Sequence, residues 1–413
     1  MWPFWLSQEV PVALASDDGD LDKVGPVPAK DGWPAPKQLS TVGIGASATV
    51  SVTVAKLMHT LSLAYSAPVP TPCSIAQRWA LLRYFWAFEK SNDGGLALSP
   101  AVEKMSTRQK ALLAEDLGIA FTQTVIERVV PAPVDGWQFV DGQLAIGASQ
   151  VAGVPLVQAE HGGSPDYFFF GGSADELQVL AVEAKGTTGT RWAQQVRHAA
   201  RQLTCVSLEN GGHGETLLPP GFVVSVAPKS GSLLVRVFDP EGDWSGPIRA
   251  GKLEDRKASV RRNANGTSSV MDGELFRRDL VDLAAAKVLS YAGEFESAMV
   301  RLPQGLRVSR DAIELGVGSP LDRRVVSTEV GEFQGVALRF QVSGGIAIEA
   351  FYGAQMSVLE GLREPDPEAG LEAIRAFGVG KSSVAELGLA ESNESVVTSY
   401  GVDGTLLQVR RTV

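Results

Sequence analysis

The chain has 413 residues, 44% of them hydrophobic, and carries 47 Asp and Glu against 37 Lys and Arg for a formal net charge of −10. Such a length predicts two or three domains, and the apolar content is ample for buried cores. The acidic balance argues against a whole-surface duplex-DNA footprint, since phosphates need cations, and two distant cysteines with four scattered histidines argue against a disulfide framework or structural zinc.

Residues 1–40 are rich in Pro, Gly and Asp and read as an extended arm or an irregular wrap. The apolar start Met1–Leu6 lacks basic residues and Glu9 interrupts it, so no export signal is expected. From Gly43 to about Ser91 the pattern turns helical. Lys56, His59 and several hydroxyls between Ala46 and Ala67 rule against a membrane span, which implies a cytoplasmic address. Core packing explains the aromatics Trp79, Tyr84, Phe85, Trp86 and Phe88 more simply than base stacking does. Residues 1–105 are thus expected to form an arm and a helical subdomain or interface, where a second copy or a partner protein would join.

Ser106 caps a helix over 106–130 that places Leu112, Leu113, Leu117, Ile119, Ala120, Thr124 and Val125 along one side. Trp137–Val157 alternates around an Asp141-Gly142 turn, the pattern of the first strands of a sheet. Pro165-Asp166 opens the apolar run Tyr167–Phe170. After a short polar loop, Leu177–Lys185 is apolar on both faces, as a buried central strand is. Alternation then puts Glu183 and Lys185 on the same face, where two buried charges are costly without partners. Pairing the two runs as a hairpin brings Asp166 beside Glu183. Two carboxylates and the backbone carbonyl of Ala184 form an incomplete shell of hard oxygens, suited to Mg²⁺ or Mn²⁺. Glu160 and His161 stand close enough to join that shell or to be plain loop residues. The helix that follows turns Trp192, Val196, Ala199 and Leu203 to the sheet, with Gln195 flanking that face. Arg191, Arg197 and Arg201 are placed for phosphate contact or for an ordinary solvated face.

These residues resemble the PD-(D/E)xK nuclease superfamily, with its restriction-endonuclease-like fold. Pro165-Asp166 matches the first half of the motif, Glu183-Ala184-Lys185 the second, and Gln195 a glutamine often found on the next helix. The resemblance spans roughly residues 107–240. It implies an α/β mixed sheet flanked by helices, a divalent metal held by Asp166 and Glu183, and Lys185 orienting and deprotonating the water that cuts a phosphodiester. A helix before the sheet can carry an auxiliary acid in this family, for which Glu115 is the candidate.

Gly221–Pro240 reads as strand, turn and strand. The segment 241–265 is polar, and its Arg256, Lys257, Arg261 and Arg262 are the best candidates for contacts with nucleic acid. Between Ala181 and Arg262 there are 12 Lys and Arg against 8 Asp and Glu, leaving 25 against 39 for the rest of the chain. An amphipathic helix over 272–292 closes a nuclease-like domain spanning 106–300. An α+β domain of glycine-linked strands follows over 301–413.

The expected function is metal-dependent hydrolysis of DNA phosphodiesters, with a role in defence against foreign nucleic acid as one extrapolation from the layout. The alternatives are a nuclease-like scaffold or binding module without turnover, and a hydrolase of small phosphorylated substrates.

Overall fold

A computed structural model describes the chain except residues 1–3, 46, 67–82, 134–135, 153–155, 160–161, 173–177, 211–214, 218, 241–259, 263–267, 271–272, 308–321, 342–346, 380–391, 394–395 and 413. Two mixed α/β layers are built around sheets. The first sheet runs in the order 49–52, 10–15, 232–240, 221–229, 178–186, 167–171, 138–141, with 39–41 also paired to 232–240. It is mixed: 178–186 runs parallel to 221–229 and antiparallel to 167–171. The second, over 322–412, is antiparallel with six strands. The helix Gly273–Tyr291 touches elements of both layers, including the strand Gln138–Asp141 and the strand Ala347–Gln355.

Residues 4–24 are not an extended arm: they form a short helix, a strand and a second helix. Val10, Val12 and Leu14 alternate with exposed positions, and the strand Val10–Ala15 lies parallel to Ser232–Pro240 inside the first sheet. Asp17 caps the short helix Asp18–Val24. There the buried Asp20 accepts a 2.7 Å bond from the buried Arg236, whose guanidinium lies 3.9 Å from the centre of the Trp192 ring. A buried guanidinium needs such a partner, and among the described residues the N-terminal segment supplies it. Residues before 105 therefore complete the sheet that carries the site.

The strand Gln178–Gly186 is covered on both sides, as its pattern requires. Leu180, Val182 and Ala184 pack with Leu113, Leu117 and Phe121 of the helix Thr107–Val129. Val179 and Ala181 pack with Val196, Ala199 and Leu203 of the helix Trp192–Leu203. Ser106 and Gln109 form a reciprocal capping box at the start of the long helix. Ser106→Ala should cost about 1 kcal/mol in urea unfolding; an unchanged midpoint would mean that water replaces the cap.

Asp141-Gly142 is not a hairpin turn. The chain passes there from the strand Gln138–Asp141 into the helix Gly142–Ala152, and the Asp141 carboxylate accepts from the Leu144 amide at 2.9 Å. The helix C-terminus to this point leads to Leu156–Gln158, which pairs with Val206–Asn210 in a separate small sheet. Among the described residues no helix is long and apolar enough to cross a membrane.

Candidate active site

The hairpin register decides what meets what. Tyr167 pairs with Val182 and Phe168 with Ala181, so Asp166 falls opposite Glu183. The two strand ends are laced together: the Asp166 amide donates to Glu183 Oε2 at 3.0 Å, and the Ala184 amide donates to Asp166 Oδ2 at 2.8 Å. Lys185 folds back across both, donating to Asp166 Oδ2 at 3.3 Å and to Glu183 Oε1. Gly142 steadies the first strand, since its amide bonds the Asp166 carbonyl at 2.9 Å. A side chain there would start 1.9 Å from the Pro165 oxygen.

Glu183 is fully buried, while about a third of the Asp166 side chain is exposed. Burial, with the nearby charge of Asp166, pushes the Glu183 carboxyl up to about 8, against the pull of Lys185. Burial alone would lower Lys185, but the charges of Glu183 and Asp166 outweigh it and hold the ammonium above its ordinary value. One ammonium shared by two ionised carboxylates would leave an excess of negative charge around the fully buried Glu183. Such an excess is relieved by a proton or by a further cation.

These strand ends open into a cleft of about 730 Å³, within the roughly 300–1,000 Å³ typical of ligand pockets. Asp166, Lys185 and Gln195 line it together with Ala184, whereas Glu183 does not reach the surface of the cleft and lies buried behind Lys185. Glu115 lines it as well, from the long helix. Its neighbour Asp116 is buried and accepts a 2.5 Å bond from the Tyr65 hydroxyl instead of facing solvent. Among the described residues no three His, Cys, Asp or Glu side chains converge as a ligand group.

The arginines are placed elsewhere. Arg191, Arg197 and Arg201 do not line the cleft, and Arg201 donates instead to the Pro28 carbonyl at 2.8 Å. The reason is geometric: the face of their helix that turns to the cleft carries Gln195 and Gln202. Arg261 and Arg262 lie in the strand Val260–Arg262, paired with Ser268–Val270. Their side chains, together with Arg256, Lys257, Glu160 and His161, fall outside the described residues.

Sequence reasoning missed several cleft residues: Asp141, Gln143, Gln158, Gln202 and Tyr65. Burial and the charge of Asp166 raise the Asp141 carboxyl above the usual carboxylate range, which places it in the same field. The Gly142 directly after it was the available signal, because a glycine opening a helix marks a close backbone approach. Tyr65 and Gln202 had none, for their partners Asp116 and Ser164 are distant in sequence. No family model matches the chain, and no curated protein or solved structure matches it.

Proposed function

We propose that the chain is a metal-dependent nuclease of the restriction-endonuclease-like kind. The observation that carries this reading is the meeting of Asp166, Glu183 and Lys185 at two adjacent strand ends, opening into one cleft with Gln195. A mixed sheet with a helix on each face supports it too.

The donor set fits a divalent cation in its chemistry. Asp166 and Glu183 supply hard oxygens, and Asp166 Oδ1 has no protein partner among the described residues. Both Glu183 oxygens are engaged, by Lys185 and by the Asp166 amide, so Lys185 now sits where a cation would be drawn. Bound Mg²⁺ or Mn²⁺ would supply Lewis-acid stabilisation of charge developing on the phosphoryl group. Lys185, displaced but still tethered to the same strand, would donate from its ammonium to the attacking water and to the charge developing at the phosphate, while the water's proton leaves to solvent. Gln195, through its amide, would orient that water, and Asp166 with Glu183 would hold the cation against which the phosphate is positioned.

Asp166→Ala, Glu183→Ala and Lys185→Ala are each expected to lower the rate of Mg²⁺-dependent cleavage of a DNA oligonucleotide by at least about 100-fold, the scale of losing a positioned acid–base or electrostatic group. Calorimetric titration with Mg²⁺ should separate their roles. Binding should vanish in Asp166→Asn and persist in Lys185→Ala, whose ammonium no longer competes. Full activity in all three alanine variants would sink the assignment. Mg²⁺ binding without turnover on any polynucleotide or nucleotide would favour the scaffold reading.

A further inference from the structure

The cleft is poor in positive charge and rich in amides. Glu115, Asp141 and Asp166 line it against Lys185 alone among the described residues, three carboxylates to one ammonium that is already shared with Glu183. Duplex recognition needs a run of cations along the phosphates, and this lining offers none. Beyond the phosphate at the motif, a ligand here must be held by uncharged contacts.

The two walls suit such a ligand. On the side of the long helix, Ala111, Ala114 and Ile119 are joined by Tyr65, whose hydroxyl is tied to Asp116. Facing them from the helix Trp192–Leu203 are Gln195 and Gln202, seven positions apart, both lining the cleft; the Oε1 of each is shielded from water and has no hydrogen-bond partner among the described residues, and a turn of the amide would present it to a ligand. A buried acceptor without a donor costs free energy that a ligand N–H recovers. Gln202 is also held in place, since its Nε2 donates to the Ser164 carbonyl at 3.4 Å, in the loop that leads to Asp166.

We infer that the cleft binds a nucleobase of single-stranded nucleic acid, stacked against the Tyr65 wall and donating through its exocyclic amino or ring N–H to Gln202. This rests on the nucleic-acid reading of the same site. Stacking on a protein platform tolerates any base, and an amide acceptor reads the base edge. A base held in a duplex has its edge paired and its faces stacked, so it can offer neither contact.

Fluorescence anisotropy on the full chain in Ca²⁺ tests this without turnover. The probes are a labelled single-stranded DNA oligonucleotide, its duplex, and the same strand with base-free sugars at its centre. The single strand should bind at least about tenfold tighter than either of the others, the scale of one stacked base. Gln202→Leu should weaken the base-bearing strand several-fold and leave the base-free strand unchanged, with its thermal unfolding checked in parallel. Should that variant lose its fold, the base-bearing to base-free ratio of the native chain decides the matter. Equal affinity for duplex and single strand, equal weakening of both strands by the variant, or no binding of any strand overturns the inference. Cleavage in Mg²⁺ is a separate readout: selective binding without cleavage removes the nuclease reading and leaves base recognition standing.

Discussion

Gly186→Ala is expected to cost about 3 kcal/mol of stability, at the upper end of what overpacking does in a dense interior. The methyl group would start 1.7 Å from the Ala114 carbonyl oxygen and 2.8 Å from the Gly118 nitrogen, backbone atoms that cannot swing aside. Gly118 reciprocates, since a Cβ there would lie 2.8 Å from the Lys185 carbonyl carbon. The helix and the strand cross backbone to backbone at this point, next to Lys185. Separating them would shift Lys185 away from Glu183, so activity should fall further than stability alone explains. Gly189→Ala is the control: its nearest neighbour would be 3.9 Å away, and it should stay within about 0.5 kcal/mol of the native chain. Equal urea midpoints for all three proteins would show that this crossing is looser than described.

The second large effect is electrostatic. Lys185→Met removes the cation from a carboxylate with no exposure to water, a change that costs about 3–5 kcal/mol when a buried pair is broken. Its pH dependence follows from the direction of the Glu183 shift. In the native chain that carboxyl stands at about 8, above its ordinary 4.5, so the folded state binds the proton more tightly than the unfolded one. Its contribution to stability is fully present below pH 4.5 and is lost as the pH rises through about 8. Without Lys185 the carboxyl is held higher still. The deficit of the variant should therefore be largest above pH 8 and shrink toward pH 4.5, where Glu183 is neutral in both proteins. Mg²⁺ should restore part of it at high pH by binding only the folded state. A deficit independent of pH would mean that packing of the lysine stem, and not its charge, is what the strand end requires.

Local pattern determined a great deal here. Alternation over 178–186 specified a strand covered on both faces, and the short link to 167–171 specified its partner. Together these placed Asp166 beside Glu183. The Ser106 cap was legible for the same reason, because the capping box closes within four residues. Tertiary structure alone decided where the N-terminal segment belongs. Val10–Ala15 alternates like any half-buried strand, yet its partner Ser232–Pro240 lies more than 200 residues away, and nothing local selects one distant edge over another. The walls of the cleft were decided in the same way. Tyr65 meets Asp116 across 51 residues, and the contact of Gly186 with Ala114 spans a helix and three strands. Side-chain periodicity reports which face of an element is buried, since burial acts on each residue where it stands. Which elements then face one another depends on the packing of the whole chain, and that is where the amides of this cleft came together.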